Sequence, residues 1–388
     1  MKKKRLLEGV KILTTDAEKR IGLYAIRYLG RAGGEISGIA RDDCSKTPIG
    51  FLSRYIKAKI TIEKEDFFPR LKDFLIHHSH EFDFINPIDI SQMLCLLDTN
   101  KEFKLNCNYL LPKRDSLVIA DNKELLTKHA QEAGLRCPKT FFRVSPDAVK
   151  DLSRSEVTFP CIIKFRGDKR ETHWNPEERY SIVHSPEKLS SEYERMHAIE
   201  EYPIIQEYIE GQGFGFFALY DRKGEVKAHF GHKRIREYPT SGGPSSCCES
   251  FYDAELFQMG RRLLESLEWT GLAMVEFKFD EIRRQYFVIE VNPRYWGSLP
   301  LAVNSGVNFP VLHALSALEI DYQPVVDFRL GMKTRFLDRD IKAIMANIHF
   351  EKNLGKKIEL FLQIFNPTIK DGFIALDDMG PLLRRLVQ

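Results

Sequence analysis

Two glutamates and an asparagine near residue 290 are the side chains whose types and spacing most clearly support chemistry. They lie in the stretch GLAMVEFKFDEIRRQYFVIEVNPRYWGSLPLAVNSGVNFP, residues 271–310. Met274–Phe279 alternates apolar and charged residues, which predicts a half-buried strand. Tyr286–Val291 predicts a second strand after a charged turn. A hairpin of these two strands places Glu276 within reach of Glu290.

Asn292 falls on the same strand face as Glu290, because residues two apart on a strand point the same way. Two carboxylates and an amide oxygen that converge on one point suit Mg²⁺, which binds hard oxygen ligands together with phosphate. A solvated strand face followed by a turn is the alternative interpretation. Glu290 lies inside the apolar run FVIEV, where an acid is costly unless it is paired or bound to metal.

The residues IEVNPRYWGSLPLAVNSGVNFP resemble the C-terminal signature of the ATP-grasp superfamily, in its carboxylate–amine-ligase-like branch with a carbamoyl-phosphate-synthase-like ATP-binding module. In that family two acids and an Asn hold two Mg²⁺ ions against the ATP phosphates, and Mn²⁺ is an accepted replacement. The resemblance assigns these metal-binding roles to Glu276, Glu290 and Asn292. It assigns contact with phosphate or with a substrate carboxylate to Arg294, as a catalytic residue.

Composition sets the broad class of the chain. Its 388 residues are enough for two or three packed domains. Apolar content of 43% and charged content of 29% are ordinary for a globular protein. The net charge of +3 gives no support for a nucleic-acid partner. The basic start MKKKR has no apolar segment after it, so it does not predict a signal peptide, and no long apolar run predicts a membrane span.

Cysteine usage predicts a cytoplasmic enzyme. The seven cysteines are Cys44, Cys95, Cys107, Cys137, Cys161, Cys247 and Cys248. Their number is odd, they are scattered, and no pair has the C-x-x-C spacing. This pattern indicates reduced thiols and argues against a disulfide framework or a zinc site.

The N-terminal part alternates strands and helices. Val10–Thr14, Glu35–Ala40 and Phe82–Pro87 are predicted as strands, and Arg20–Gly30 and Phe67–Ile76 as helices. This alternation implies a parallel sheet with right-handed crossovers. The first turn lacks the G-x-G-x-x-G pattern of dinucleotide binding. The segment resembles, weakly, the domain that precedes ATP-grasp modules.

The predicted fold class is therefore α/β, with a Rossmann-like parallel domain followed by an ATP-grasp fold in which two α+β subdomains grip ATP. We place the N-terminal domain at residues 1–114 and the ATP-grasp module at 115–330. A lid subdomain occupies about 139–205. Residues 331–388 form a C-terminal extension whose sequence carries no recognisable chemistry, and it either packs against the module or makes a homodimer contact.

A histidine group near the second helix offers a second metal hypothesis. His77, His78 and His80 precede Glu81. The competing interpretation is that histidines accumulate where a helix ends, because a helix C-terminus favours positive charge.

Two lysines are candidates for phosphate contact. Asp121–Cys137 predicts a helix that begins at the N-cap Asp121, and it resembles a family helix whose Lys touches ATP phosphate. That role falls on Lys123, with a surface lysine as the alternative. Lys164 ends the apolar strand TFPCIIK and needs an anionic partner there; in the family this Lys binds the α- and β-phosphates.

The segment after Lys164 departs from the family pattern, which has a glycine-rich loop over the phosphates. Here it reads FRGDKRETHWNPEERYS, with Gly167 as its one glycine. Arg166, Lys169 and Arg170 are suited to replace backbone N–H donors with side-chain cations. The alternative is an unrelated lid.

Residues 202–211, YPIIQEYIEG, resemble the hinge that cradles adenine. The mapping gives Gln206 the side-chain contact to the base amino group. Glu207 and Ile209 offer backbone groups, with Tyr208 between them in the same ATP-binding segment.

The next residues depart from the family again. An acid that binds the ribose hydroxyls is expected where Gly213 stands. Gly211, Gly213 and Gly215 spell G-x-G-x-G, but a strand is predicted to follow, and we interpret these glycines as a hinge and a turn.

A basic strand and a small-residue loop lie at residues 231–250. His232, Lys233, Arg234 and Arg236 precede the loop Thr240–Ser246. The pattern resembles an R-x-x-P…G-G-x-S segment of the carboxylate–amine-ligase-like branch. It suggests cations, and loop N–H groups, for a γ-phosphate or a carboxylate. Lys233 is predicted to bind ATP, and Arg234 and Arg236 to be catalytic. A basic strand with a flexible turn is the plain alternative.

The resemblance implies an ATP-dependent ligase that forms amide or peptide bonds through an acyl phosphate, from a small carboxylic acid and an amine. Two other functions remain open. One is activation of bicarbonate by a carbamoyl-phosphate-synthase- or biotin-carboxylase-like enzyme. The other is a non-catalytic ATP-binding regulatory protein.

Overall fold

The structure is a computed structural model of the chain, and it describes residues 5–42, 46–152, 156–166, 180–240 and 242–387. Three sheets organise these residues: a parallel four-stranded sheet, a mixed seven-stranded sheet and an antiparallel four-stranded sheet. Within the described part, no helix has both the length and the apolar composition that a membrane crossing requires.

The strands are β1 Lys11–Thr14, β2 Glu35–Asp42, β3 Ile56–Glu63, β4 Phe84–Asn86, β5 Thr140–Phe141, β6 Cys161–Lys164, β7 Tyr180–Val183, β8 Ile204–Glu207, β9 Gly213–Tyr220, β10 Val226–Glu237, β11 Ser245–Ser250, β12 Gly271–Asp280, β13 Gln285–Asn292, β14 Lys333–Arg335 and β15 Lys370–Asp371. The α-helices are α1 Arg20–Arg31, α2 Phe67–His78, α3 Ile90–Phe103, α4 Arg114–Asp121, α5 Lys123–Glu132, α6 Pro146–Leu152, α7 Pro186–His197, α8 Ala254–Ser266, α9 Leu299–Ser305, α10 Phe309–Ala317, α11 Leu337–Phe350, α12 Leu354–Leu362 and α13 Gly380–Val387.

The N-terminal sheet has the order β3-β2-β1-β4 and is parallel throughout. This confirms the predicted α/β segment. Strand β3 was not predicted from the sequence, and its residues are mostly exposed. An edge strand rich in lysine lacks the apolar alternation that marks a buried one, and such charges protect a sheet edge from association.

The central sheet has the order β13-β12-β9-β10-β11-β14-β15. One face packs on α8 through a core that includes Phe216, Val275 and Leu263. The opposite face packs on α1, α9 and α10 through a second core that includes Phe217 and Met274. Side chains of alternate residues along β9 and β12 therefore enter different cores, as a strand period of two requires.

The third sheet, with the order β5-β8-β6-β7, is antiparallel. Its core contains buried residues from β6 and β8 packed on α6 and α7, among them Val149, Ile163, Leu189 and Ile205. This is the part of the chain predicted as a lid, although β8 continues to Glu207, beyond the predicted limit.

The C-terminal residues join the rest of the molecule closely. β14 pairs with β11, and β15 pairs with β14, so both strands extend the central sheet. Near the end of the chain, Asp378 forms a buried ion pair with Arg27 of α1 (2.7 Å). The segment therefore packs against the module and the N-terminal helix, while the domain limits at 114 and 330 remain predictions.

Two local predictions were wrong. Asp121 ends α4, and the N-cap of α5 is Asn122, whose side chain accepts hydrogen bonds from the N–H groups of Glu124 and Leu125. Gly213 and Gly215 lie inside β9 instead of forming a turn. A Cβ on Gly215 would lie 2.8 Å from the Phe217 ring, so this strand position has no room for a side chain.

Candidate functional site

The predicted hairpin is confirmed, and it brings the three polar side chains together. β12 and β13 are antiparallel, and Glu276 lies directly opposite Glu290. The Asn292 amide donates to a carboxylate oxygen of Glu276 (3.1 Å) and to one of Glu290 (3.0 Å). The two carboxylates therefore converge on one point from neighbouring strands.

A β-bulge is what turns Glu290 toward this point. Glu276 pairs with Glu290, but the next residue, Phe277, pairs with Val288, which leaves Ile289 as an extra residue in β13. Val288 is buried in the core on the α8 side of the sheet, while Glu290 lines the opposite cavity. Bulges commonly re-aim a side chain next to a functional site in this way.

The two acids differ in their tendency to ionise. Burial raises the pKa of Glu276 to about 7, although the attached Arg234 guanidinium opposes the shift. Burial also disfavours ionisation of Glu290, but the attraction of Lys123 and the Asn292 hydrogen bond outweigh it and hold its pKa below the usual value. Paired buried acids of this kind are a common sign of a functional site.

These acids lie in a cavity of about 450 Å³, within the range usual for small-molecule sites. Its charged lining residues are Arg20, Asp121, Lys123, Lys164, Glu207, Arg234, Glu276, Lys278, Glu290 and Arg294. Six of these are cations and four are acids, so the cavity favours an anionic occupant that brings its own counter-ions.

Lys164 reaches the cavity from the end of β6, as predicted. Its ammonium donates to the Gln206 amide oxygen (2.9 Å), and the Gln206 amide nitrogen donates to the Thr140 hydroxyl (3.0 Å). Burial lowers the pKa of Lys164 to about 8, although Glu290 pulls in the opposite direction. The Gln206 side chain thus holds Lys164 in place, and its predicted contact with the base remains a prediction.

Lys123 is the first residue of α5 and also lines the cavity. Its attraction lowers the pKa of Glu290, which places the ammonium close to the acid pair. The N-terminus of a helix also favours negative charge nearby, because of the helix dipole. Lys123 therefore lies at the cavity, and its contact with phosphate remains a prediction.

The predicted hinge forms one wall of the cavity, with Glu207, Tyr208 and Ile209 all in the lining. The backbone N–H of Glu207 donates to the carbonyl of Lys139 (2.8 Å), and that of Tyr208 donates to Pro160 (3.3 Å). These two N–H groups are therefore engaged within the fold, and the backbone contacts of Glu207 and Ile209 with the base remain predictions.

Arg234 of β10 lines the cavity. Its guanidinium bonds Glu276 and lies 3.5 Å from Glu237. A Cβ on Gly213 would lie 2.8 Å from Cδ of Arg234. Glycine at position 213, where the family pattern expects an acid, thus makes room for the stem of this arginine.

His232 is not one of the cations of the site, contrary to the prediction of a uniformly basic strand. Burial, with a smaller contribution from Arg234, lowers its pKa to about 3. Its ring Nδ1 lies 3.1 Å from the Ser298 hydroxyl. The imidazole is therefore neutral at pH 7 and contributes shape and hydrogen bonding to the wall.

Lys233 and Arg236 do not line the cavity, and the structure separates them from Arg234. Lys233 points to the other side of β10 and pairs with Glu249 (3.2 Å). A second bulge lies between Arg234, which pairs with Cys248, and Arg236, which pairs with Cys247. The extra residue, Ile235, turns Arg236 away from the face that carries Arg234.

Arg236 instead forms a buried bidentate ion pair with Asp340 of α11, with both N···O distances 2.8 Å. Asp340 also accepts a hydrogen bond from Ser246 (3.1 Å). The side chains of Arg236 and Asp340 are 6% and 1% exposed. This geometry indicates a structural role that fixes α11 against β10 and β11.

We expect Arg236→Leu to lower the free energy of unfolding by about 3 to 5 kcal/mol, because Asp340 is left buried without its partner. The double variant Arg236→Leu/Asp340→Leu should recover most of this loss. Urea denaturation of both variants measures the effect. A single variant as stable as the wild type, but without activity, would instead support the predicted catalytic role of Arg236.

The loop after β10 lies partly on the cavity wall, where Gly242, Gly243 and Pro244 are lining residues. The N–H groups of Gly242 and Gly243 both donate to the carbonyl of Pro239 (3.3 and 2.8 Å). They are therefore engaged within the loop, contrary to the expectation that they face an anion.

The cationic loop predicted after Lys164 is described only at its start. The Arg166 guanidinium donates to the carbonyl of Glu201 (2.8 Å) and approaches Glu200 (3.7 Å). Gly167, Lys169 and Arg170 lie outside the described residues.

Arg294 lines the cavity as predicted, and it is joined by two cations that the sequence analysis did not single out. Arg20 begins α1, and its guanidinium carbon lies 4.7 Å from the centre of the Phe336 ring. Lys278 follows Glu276 by two residues and donates to the carbonyl of Gly211 (2.9 Å). The period-two spacing of Lys278 and Glu276 was a usable signal; Arg20 gave none, because it comes from the first domain.

The second metal hypothesis finds no support. Among the described residues, no three His, Cys, Asp or Glu side chains form a group that could hold a metal ion. His77 faces Asp73 (3.3 Å) and His78 faces Glu81 (2.7 Å), as separate surface pairs. The acid pair of the hairpin consequently needs Asn292 and a ligand oxygen to complete a metal site.

Comparison with known proteins supports the resemblance to ATP-grasp proteins for one segment of the chain. Residues 203–339 match the family model described as ATP-grasp in the biosynthetic pathway with Ter operon. This segment, about a third of the chain, is similar to ATP-grasp proteins. The matched segment contains both bulged strands, Arg234, the acid pair and Asn292, so the resemblance seen in the sequence is confirmed.

Solved structures show the same ATP-grasp fold. Biotin carboxylase from Campylobacter jejuni, in complex with β,γ-ATP, superposes with a TM-score of 0.65 at 16% identity and covers 83% of this chain and 74% of its own. N5-carboxyaminoimidazole synthetase from Staphylococcus aureus has a TM-score of 0.65 at 13% identity, with coverage of 86% and 83%.

A third similar structure is the biotin carboxylase domain dimer of 2-oxoglutarate carboxylase from Hydrogenobacter thermophilus, in complex with MgADP, ADP and bicarbonate. Its TM-score is 0.67 at 15% identity, with coverage of 83% and 73%. No curated protein sequence matches the chain. At these identities the likeness establishes the ATP-grasp fold, including the parallel domain in front of it.

Proposed function

We propose that this ATP-grasp protein is an ATP-dependent carboxylate–amine ligase that forms an amide or peptide bond through an acyl phosphate. The observation that carries the proposal is the convergence of Glu276, Glu290 and Asn292 in a cavity that Lys164 also lines. Two acids held together in a buried site are costly unless a cation or a cationic ligand joins them.

The side chains fit Mg²⁺. Two carboxylates and an amide are hard oxygen donors, which Mg²⁺ prefers over nitrogen or sulfur. The Asn292 amide nitrogen now bridges both acids, which is where positive charge is needed. Rotation of this amide presents its oxygen, so Glu276, Glu290 and Asn292 are the residues that would hold the metal. Bound there, Mg²⁺ would neutralise charge on the phosphate oxygens of ATP.

The remaining cations suit the phosphates and the acid substrate. Lys123 and Lys164 lie near Glu290 and fit the phosphate chain, with the hinge at Glu207 to Ile209 beside the base. Arg20 and Arg294 also line the cavity, as do Trp296 to Ser298, and we assign these two arginines to the carboxylate of the acid. Arginine suits this role because its fork matches a carboxylate.

The chemistry proceeds in two displacements. An oxygen of the substrate carboxylate attacks the γ-phosphorus of ATP, the bond to the β-phosphate oxygen breaks, and ADP leaves. The amine then attacks the carbonyl carbon of the acyl phosphate, loses a proton to the surrounding solvent, and expels phosphate. Positioning and charge neutralisation carry the first step, and exclusion of water by the sheet of β5 to β8 protects the acyl phosphate.

The direct test uses a carboxylic acid labelled with ¹⁸O. The protein is incubated with ATP, Mg²⁺ and pools of labelled acids and of amines, and the released phosphate is analysed by mass spectrometry. We expect one ¹⁸O atom in each phosphate, together with a product heavier than the acid. Hydroxylamine in place of the amine should trap a hydroxamate.

Release of ADP without ¹⁸O in phosphate would rule out an acyl phosphate. ATP binding with no ADP release from any pool would support a non-catalytic protein instead.

Bicarbonate is the second candidate for the acid, because one similar structure contains MgADP and bicarbonate. In that case ADP release should depend on bicarbonate and should persist without any organic acid. Measurement in carbon-dioxide-free buffer, with and without added bicarbonate, separates the two candidates.

A further inference from the structure

Arg20 lines the cavity without a carboxylate partner. It begins α1, and within the described part of the chain no ion pair joins its guanidinium to an acid. One face of the guanidinium lies over the Phe336 ring, with 4.7 Å between the guanidinium carbon and the ring centre. A contact of this kind holds an arginine in place but does not neutralise its charge. The charge of Arg20 is therefore available to an anionic ligand.

Gly297 leaves open space next to this guanidinium. Among the described atoms, a Cβ on Gly297 would have one neighbour within 4 Å, the Arg20 Nη2 at 4.0 Å. The adjacent Trp296 also lines the cavity and is 2% exposed, and its indole N–H has no acceptor among the described residues. A buried donor without an acceptor is costly, so this part of the cavity favours a ligand that brings acceptor oxygens.

Arg20 and the acid pair lie toward different sides of the cavity. Phe336 directly follows β14, whereas Glu276 is in β12, four strands away in the central sheet. Neighbouring strands are about 4.8 Å apart, so this separation is roughly 19 Å along the sheet. Arg294 belongs to the side of the acid pair. It follows Asn292 by two residues, and its charge opposes the rise that burial produces in the pKa of Glu276.

We propose that the acid substrate carries two carboxylates, and that Arg20 binds the one that does not react. This inference rests on the proposed function and refines its assignment of the two arginines. The reacting carboxylate must come within about 3 to 3.5 Å of the γ-phosphorus of ATP, so it lies beside the acid pair and Arg294. A guanidinium held over Phe336 is too distant for that group and suits a second carboxylate of the same molecule.

The donors around Arg20 favour a carboxylate over a phosphate group. The fork of a guanidinium matches the two oxygens of a carboxylate. A phosphate group carries more charge and offers three acceptor oxygens, so it suits a site with several cations. The neighbouring Lys19 is already paired with Asp16 and Asp89, both at 2.7 Å.

The test measures binding, so its result does not depend on turnover. The full chain, with Mg²⁺ and a non-hydrolysable ATP analogue, is titrated calorimetrically with succinate and with its monoamide, succinamate. We expect succinate to bind about 10- to 100-fold more tightly, the effect of one hydrogen bond between charged groups. Arg20→Gln should bind the two probes with equal affinity.

Gly297→Asp tests the same place with a carboxylate from the chain itself. The new side chain enters open space beside Arg20, and the φ angle of Gly297 lies outside the left-handed region. Because Arg20 gains a partner, we expect the melting temperature of the ligand-free protein to rise and the preference for succinate to disappear. Gly297→Asn has the same shape without the charge and should not raise the melting temperature.

Arg284→Gln is the matched control for Arg20→Gln. Arg284 also lies over a phenylalanine ring, that of Phe279 at 5.9 Å, but it is exposed in the turn between β12 and β13. This variant should keep the preference of the wild type for succinate.

Three results would overturn the proposal. The first is a wild type that binds succinate no more tightly than succinamate, including one that binds neither, and the second is a preference that survives Arg20→Gln. The third is tighter binding of 3-phosphonopropionate than of succinate, which would replace the second carboxylate by a phosphate group. Transfer of ¹⁸O to phosphate from monocarboxylic acids alone would also contradict this inference, but it would leave the proposed function intact.

Discussion

Glu290→Gln is expected to reduce ADP formation by at least about 100-fold, the effect of removing one charged group that stabilises the transferring phosphate. The amide keeps the size of the side chain but removes the negative charge that would hold Mg²⁺ beside Asn292. The fold should survive, because Gln accepts the same hydrogen bond from Asn292. Initial rates of ADP release at saturating ATP, with circular dichroism of both proteins, measure the two effects.

Glu281→Gln is the matched control for this change. Glu281 is exposed in the turn of the same hairpin, so its substitution removes one negative charge without touching the cavity. We expect its ADP release to equal that of the wild type. Full turnover by Glu290→Gln would show that the acid pair does not bind a metal that takes part in the reaction.

Lys164→Met is expected to weaken ATP binding about 10- to 100-fold, since a hydrogen bond to a charged partner contributes about 1.5 to 3 kcal/mol. The same substitution should raise the melting temperature of the ligand-free protein at pH 7. There the ammonium is protonated, and burial penalises its charge, whereas methionine fills similar space without charge. Calorimetric titration with ATP and thermal melting test both effects.

The pH dependence of stability follows from the lowered pKa of Lys164, about 8 in the folded chain against an ordinary value of 10.5. Between these values the unfolded chain binds more protons at this position than the folded chain, so raising the pH stabilises the wild type. The stability advantage of Lys164→Met should therefore shrink from pH 8 to pH 10.5. An advantage that is constant with pH, or a variant less stable than the wild type at pH 7, would contradict the assigned burial cost.

A substitution that raises stability but weakens ATP binding indicates that the lysine serves binding and not folding. Arg236 shows the contrasting case, because its partner Asp340 comes from the same chain and its removal should cost stability. Within the described part of the chain, Lys164 donates a hydrogen bond to the neutral Gln206 amide oxygen and to no carboxylate. A cation held by a neutral amide beside an acid pair is suited to receive an anionic ligand.

Local elements, the family signature and most of the N-terminal sheet could be predicted from the sequence alone. The hairpin of β12 and β13, with Glu276 opposite Glu290, and the place of Lys164 at the end of a strand follow from local periodicity, which depends on neighbouring residues alone. The family was recognisable for the same reason, because its signature is contiguous. The parallel N-terminal sheet was also predicted, apart from its charged edge strand β3.

Only the tertiary structure decided which face the basic residues of β10 use. Strict alternation predicts that Arg234 and Arg236 point the same way, but the bulge at Ile235 sends Arg236 to Asp340, more than a hundred residues later in the chain. The bulge at Ile289 has the opposite effect, because it turns Glu290 toward the cavity. A bulge depends on how distant segments pack against the strand, so it cannot be predicted from the local sequence.

Arg20 completes the contrast. The sequence predicted a helix that begins at Arg20. Whether a helical side chain such as Arg20 lies in a cavity, in a core or in the solvent depends on how the three sheets pack together. That arrangement is set by the sum of long-range contacts, which no local pattern contains.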